Sequence, residues 1–266
     1  VMIYDFVGLN SMSWNPMELL GTFIWNLKWT YDSRKKLTPP YDLGLFIGEL
    51  NDIPDKSFGI GLPNRREFAR KMYNPIGYVL TFDPELLPEK ITLREKLGYK
   101  NNPLVIASIG GTSIGKELLE LCGKAFTVAK EKITDLQMAL VSGPRIKADF
   151  LNVPEEVEVL PYLPELYAHF AACDLAIIQG GATSAIELTA LKKPFIYFPL
   201  EKHFEQANMS RILKERGAGF EMTYSKTTPG MLADKIIENI KSKVRTPEIP
   251  INGAAKAAEL ISTLLP

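Results

Sequence analysis

Three loops carry the residues whose types and spacing could do chemistry. The first is Ser108-Ile109-Gly110-Gly111-Thr112-Ser113-Ile114-Gly115, between an apolar run and an amphipathic one. Glycines let a backbone turn tightly against a ligand, and a helix that starts there presents free N–H groups, so a diphosphate is the natural guest. Paired glycines are also the ordinary makings of a tight turn, and the loop is neither a Walker A sequence nor a GxGxxG fingerprint. The second loop, Gln179-Gly180-Gly181-Ala182-Thr183-Ser184, has the same small-residue character and is followed by Glu187. With the helix read as starting at Ser184, Glu187 falls in its first turn. A carboxylate there either favours the helix dipole or accepts two hydrogen bonds from a sugar diol. The third loop, 199–206, ends in the adjacent pair Glu205-Gln206, with His203 just before it. An acid beside an amide offers acceptors and donors to a polyhydroxylated ligand, or caps a helix.

These loops need a scaffold, and the apolar patterning supplies one. Short, mostly apolar runs at 104–108, 137–142, 157–160, 175–179 and 195–198 read as buried strands. Amphipathic stretches at 116–130, 163–172, 184–191 and 204–217 read as the helices between them. Strands buried on both faces and alternating with helices imply a doubly wound, Rossmann-like parallel sheet. Such sheets bind ligands at the carboxyl ends of their strands, and each loop above follows a strand. Residues 1–7, 43–47 and 76–80 read as strands of a smaller α/β part, and Asp83-Pro84 with Leu87-Pro88 marks a linker. The division is therefore 1–87 and 88–266. A helix is expected over 16–36, with Met17, Leu20, Ile24, Leu27 and Tyr31 on one face and Phe23, Trp25 and Trp29 widening the stripe. That stripe is read as a core face or, because aromatics stand beside lysines, as an interface or membrane-surface patch. The last helix, 253–265, carries Ala254, Ala257, Ala258, Ile261 and Leu265 on one face.

Composition narrows the function further. Lys plus Arg and Asp plus Glu each total 31, and no long basic block occurs, so nucleic acid is not an expected partner. The two cysteines, Cys122 and Cys173, sit in apolar runs without metal-like spacing and read as buried thiols of a reducing compartment. The two histidines, His169 and His203, add no zinc pattern, and no Asp-x-Asp metal motif appears. No signal peptide is visible at the start of this sequence, and it holds no run of 18 apolar residues. A cytoplasmic protein is expected, membrane-associated if the 17–31 stripe meets lipid. The chain opens directly on a strand-like run, as a chain beginning partway through a longer protein would.

Taken in order, the motifs resemble a known family. The run QGGATSAIELTALKKPFIYFPLEKHFEQ over 179–206 is similar to the donor-binding motif of the UDP-glycosyltransferase superfamily. Ala207-Asn208, Arg216-Gly217-Ala218-Gly219 and the 159–164 run VLPYLP ahead of Ala172-Cys173-Asp174-Leu175 resemble its MurG-like, glycosyltransferase family 28 branch. The likeness covers roughly 98–240. It implies a GT-B fold whose C-terminal half binds a nucleotide-sugar, together with an incomplete N-terminal half on the acceptor side.

The resemblance also implies roles. Gly110, Gly111 and Thr112 would lie by the diphosphate, and Tyr162 and Leu163 would frame the base. Gly181, Ala182, Thr183 and Ser184 would contact phosphate, Gln179 would donate to phosphate or sugar, and Glu187 would hold the ribose. Glu205 and Gln206 would hold the transferred sugar, and His203 would be a further donor contact. Gln179 stands where many relatives carry His, which leaves donor activation open. The implied activity is metal-independent, inverting transfer from a UDP-sugar to a lipid-linked or small-molecule acceptor, with no resident cofactor. The catalytic base is not identified: His169 reads as structural and Asp5 as a strand-end residue. An epimerase of the same fold, or a donor-binding subunit working with a membrane partner, remain alternatives.

Overall fold

The computed structural model describes residues 1–34, 41–109, 115–242 and 248–265. Its contacts divide the chain into two compact units. One comprises Val1–Thr81, Lys202–Asn208 and Glu248–Pro266; the other comprises Phe82–Glu201 and Met209–Pro247. The segments 202–208 and 248–266 thus group with the residues before the linker.

The first unit is a three-stranded parallel sheet in the order β1 (Met2–Tyr4), β2 (Gly44–Ile47), β3 (Asn74–Gly77). The helices α1 (Pro16–Arg34) and α2 (Arg65–Met72) belong to it. Val7, Phe46, Ile53, Phe58, Phe68 and Tyr73 form its core. Helix α2 is short and charged, and the apolar pattern assigns no element there; it starts where the Asn64 side chain accepts from the N–H groups of Arg66 and Glu67.

Helix α1 corrects the sequence reading of its faces. Met17, Leu20, Ile24, Leu27 and Tyr31, the face read first as core, are exposed by 83, 60, 54, 42 and 47%. Asn26 and Thr30 are buried instead, with Phe23 and Trp29 half-buried. The cause is polar satisfaction. Asn26 donates to the carbonyls of Leu9 (3.0 Å) and Phe58 (2.8 Å) and accepts from the Leu9 N–H (2.8 Å). Trp29 Nε1 donates to the Tyr73 hydroxyl, and Thr30 Oγ1 to the Asn26 carbonyl. A side chain with three fixed partners sets the helix's rotation more firmly than the count of apolar residues.

The second unit is a six-stranded parallel sheet in the order β6-β5-β4-β7-β8-β9. Its strands are β4 (Leu104–Ser108), β5 (Gln137–Val141), β6 (Glu158–Leu160), β7 (Leu175–Ile178), β8 (Phe195–Tyr197) and β9 (Phe220–Glu221). The helices are α3 (Lys90–Leu97), α4 (Lys116–Lys130), α5 (Leu166–Ala172), α6 (Ala182–Ala190), α7 (Phe204–Arg216) and α8 (Pro229–Asn239). The first residues of α7 group with the first unit. Strands β4 and β7 are buried at every position, as sheets covered on both faces require. Helix α3, just past the linker in a stretch to which the sequence pattern assigns no element, is held by Arg94. Its guanidinium donates to the carbonyls of Ala172 (2.9 Å) and Asn102 (3.1 Å) and to Asp174 Oδ2 (2.6 Å).

The last helix, α9 (Gly253–Ser262), packs on β3 within the first unit, where Lys256 Nζ donates to the Pro75 carbonyl. Its alanine face is largely outward: Ala254 and Ala258 are exposed. Among the described residues no helix is long and apolar enough to cross a membrane.

Candidate nucleotide-sugar site

The chain order of the second unit's strands determines where a ligand can sit. From β4 the chain runs outward through β5 and β6, then returns to lay β7, β8 and β9 on β4's other edge. The order therefore reverses between β4 and β7, where the loops diverge to opposite faces and leave a crevice. Ser108 pairs with Ile178, so both strands end level and the two glycine-bearing loops leave side by side. Gly110, Gly111 and Thr112 lie outside the described residues. The loop resumes at Gly115, which precedes α4 at φ 136°; a Cβ there would stand 2.9 Å from Ile109 Cβ and 3.1 Å from Gln179 Nε2. The α4 N-terminus and the Gln179 side chain thus meet at the crevice.

The second loop begins with buried Gln179. Gly180 then takes φ 81°, and its Cα stands so close to Pro199 that a Cβ would lie 3.3 Å from the Pro199 Cα. Gly181 is extended and α6 begins at Ala182, two residues earlier than the sequence pattern indicates. Ala182, Thr183 and Ser184 are consequently the first three helical residues, and their N–H groups are the ones a helix leaves unpaired. Gly181, Ala182 and Thr183 are exposed and Ser184 half-buried. An anion can reach them.

The earlier start of α6 moves Glu187 to the sixth helical position, beyond the first turn in which a carboxylate caps or favours the dipole. Glu187 is 8% exposed, and no donor holds its carboxylate among the described residues. Burial pushes its pKa up to about 7. A buried acid without a partner is costly, and the cost is relieved when a ligand supplies hydrogen-bond donors.

Tyr162 and Leu163 lie in the turn between β6 and α5, Tyr162 59% exposed and Leu163 half-buried. Helix α5 packs beside α6 and brings a residue not singled out from the sequence: Tyr167, stacked on Phe82 at 4.3 Å and 14°. Its phenol is raised by burial, by Glu165 and by the charge of Glu187, so this aromatic pair borders the carboxylate. Only their position in the fold, not a motif, marks Tyr167 and Phe82.

His203 is exposed ahead of α7, and Glu205 (exposed) and Gln206 (half-buried) stand in its first turn, in the segment that groups with the first unit. His169 is a packing residue: its Nδ1 is 2.7 Å from the Tyr99 hydroxyl and burial lowers its pKa. Cys122 and Cys173 are fully buried free thiols, both pushed by burial to about 12. Asp5 is exposed just past β1. No group of three His, Cys, Asp or Glu stands together as a metal-binding cluster among the described residues.

A parallel sheet with two glycine-bearing loops leaving side by side at its switch point, an open α6 N-terminus and a largely buried acid fits the donor-binding half of a GT-B glycosyltransferase. Two solved structures share the fold. The glycosyltransferase of kitacinnamycin matches with a TM-score of 0.58 at 17% identity, over 96% of this chain and 64% of its own. The calicheamicin glycosyltransferase matches with a TM-score of 0.59 at 16% identity, over 96% and 61%.

The particular family follows from sequence. The glycosyltransferase family 28 C-terminal domain matches residues 105–264, and the chain belongs to that family. An uncharacterized glycosyltransferase of Methanosarcina mazei is 27% identical over 62% of this chain and 42% of its own length. A UDP-N-acetylglucosamine–N-acetylmuramyl-(pentapeptide) pyrophosphoryl-undecaprenol N-acetylglucosamine transferase of a Thermoanaerobacter strain is 25% identical over 79% and 59%. The chain spans about half the length of these curated relatives.

Proposed function

We propose that this chain binds a UDP-sugar and contributes the donor half of a transfer reaction that hands the sugar to an acceptor hydroxyl. Glu187 carries the reading: a buried carboxylate without a donor, one turn beyond a helix N-terminus open to anions. Ribose presents two adjacent hydroxyls, and a carboxylate accepts from both at once. The diphosphate then falls on the N-terminal N–H groups of α6 and α4, whose dipoles favour negative charge. Uridine is chosen because the name of the Thermoanaerobacter relative specifies a UDP-sugar.

The chemistry that follows is nucleophilic displacement at the anomeric carbon. The leaving UDP gains charge on its outer phosphate. N–H groups already oriented toward that position stabilise the charge without reorganising, which makes a metal and a resident cofactor unnecessary. Gln179, between the two loops, can add a neutral donor but no charge. Inversion would require a base for the acceptor proton, and we assign none.

The outward face of α1 favours a second element, a donor-binding subunit that meets a membrane or membrane partner. Trp14, Met17, Leu20, Ile24 and Trp25 are exposed in one stretch, with Lys28 beside them and the basic run Arg34-Lys35-Lys36 next in sequence. This leaves the acceptor open to lipid-linked or small molecules. Cosedimentation with anionic vesicles, abolished in Leu20→Glu/Ile24→Glu, would support the contact; equal recovery of both proteins in the supernatant would dismiss it.

Calorimetric titration with UDP tests the main reading, with Glu187→Ala as the variant and TDP and GDP as controls. UDP binding that weakens at least tenfold in the variant is the expected result. A folded chain that binds no nucleotide overturns the assignment.

A further inference from the structure

A cavity of about 310 Å³ opens in the second unit beside the phosphate cradle. It lies between the first turn of α4, the loop after β8 and the turn after β9. Gly115 and Gln179, both at the crevice, form one side of it. Its wall is mostly apolar, with Leu118, Phe198 and Leu200 contributing, and Tyr224 adds a ring face. Its charges are Glu117 and Glu201; no Lys, Arg or His lines it among the described residues. Ser225 Oγ donates to Glu201 Oε1 at 2.7 Å, which fixes that carboxylate at the rim. The Tyr224 phenol is raised, by burial first and then by the charges of Glu117 and Glu120.

We propose that this cavity is a charge-selective subsite for the donor sugar, admitting neutral and amino sugars and rejecting uronic acids. The inference rests on the donor reading above. A diphosphate on the α4 N-terminus has its sugar next along the chain of atoms, and the cavity begins at the residue that caps that helix. Hexopyranoses present C–H faces that rest on Tyr224 and Leu200, and hydroxyls that donate to Glu117 and Glu201. A protonated amine gains from the same carboxylates. A sugar carboxylate meets two like charges and no cation, so selection comes from repulsion as much as from fit.

UDP-glucose and UDP-glucuronic acid differ only in a hydroxymethyl group against a carboxylate, which isolates charge. Their affinities, and that of UDP alone, are measured by calorimetry on the wild-type chain, Glu117→Gln/Glu201→Gln and Ser225→Trp. All three substituted positions are exposed, so the fold is expected to hold, and UDP affinity reports on the cradle. In the wild type, UDP-glucose is expected to bind at least tenfold more tightly than UDP-glucuronic acid. The double Gln variant should narrow that gap at least fivefold. Ser225→Trp, filling the cavity, should weaken UDP-glucose at least tenfold while UDP binds as before. Equal wild-type affinities for the two sugars, or a Ser225→Trp variant that binds UDP-glucose normally, would overturn the subsite while UDP binding upholds the donor site. Loss of UDP binding by the folded wild type would remove the donor site and the subsite together.

Discussion

Substituting Glu187 by Gln should make the ligand-free protein more stable, and the gain should depend on pH. The carboxyl's pKa rises from 4.5 to about 7 on folding, because burial disfavours the ionised form. Below pH 4.5 the group is protonated in both folded and unfolded chains, and its full favourable contribution is present. Between 4.5 and about 7 the unfolded chain releases the proton while the folded one keeps it, so stability falls as pH rises; above about 7 the loss is complete. The span of roughly 2.5 pH units, at about 1.4 kcal/mol each, sets a ceiling near 3.4 kcal/mol. Solvent on the open side of the crevice screens the charge, which brings the expected penalty to about 1–2 kcal/mol. Glutamine keeps the shape without the charge. Urea unfolding of both proteins should therefore show Glu187→Gln about 1–2 kcal/mol ahead at pH 8 and the gap closing toward pH 4.5. A difference that is flat across this range would refute the claim that an ionised, unpartnered Glu187 is strained by burial.

Four further outcomes follow from the same geometry. Donors from a ribose diol favour the ionised carboxylate, so UDP binding near pH 7 should release a proton; calorimetry in buffers of different ionisation enthalpy should detect it, and Glu187→Gln should abolish it. Gly180→Ala forces a side chain into φ 81° against Pro199, so a loss of about 1–2 kcal/mol and weaker UDP binding should appear in thermal unfolding and titration. Asp174→Ala leaves buried Arg94 without its carboxylate, and a loss of about 3–5 kcal/mol in denaturant unfolding is expected. Asn26→Leu strands the Leu9 and Phe58 groups and should cost about 2–4 kcal/mol, whereas Leu20→Lys on the outward face should change stability by about 0.5 kcal/mol or less; equal effects in chemical denaturation would mean that α1 is turned the other way.

What could be read from the sequence, and what could not, follows from the range of the forces involved. The β4-to-β8 part was legible because β4, β7 and β8 are buried at every position and almost wholly apolar, a local signal. The loops at the carboxyl ends of the strands followed, since parallel sheets bind ligands there, whereas the strand order that puts the switch point between β4 and β7 is seen only in the structure. Helices α2 and α3 escaped because each is eight residues long and at least half charged, and each is held by distant or capping groups: Arg94 in α3 reaches Ala172 and Asp174. Helix α1 was placed correctly but turned wrongly, for a related reason. Apolar periodicity ranks faces by transfer energy, about 1.5–3 kcal/mol for each large side chain fully buried. It cannot register that Asn26 has three backbone partners from Leu9 and Phe58, contacts 17 and 32 residues away.

Glu187 shows how a two-residue boundary error can hide chemistry. With the helix starting at Ser184, the carboxylate sits in the first turn and capping explains it fully. With the start at Ala182 it lies a turn deeper, out of reach of the free N–H groups and largely buried. The boundary moves because Gly180 turns left-handed against Pro199, a contact between the loops after β7 and β8 that no local pattern encodes. The structural explanation for an acid at this position thereby fails, since neither capping nor a salt bridge relieves its burial. A ligand that brings its own donors is then the remaining source of compensation. Under the proposed donor reading, the turn at Gly180 both exposes the first N–H groups of α6 to phosphate and sets Glu187 back for the ribose diol.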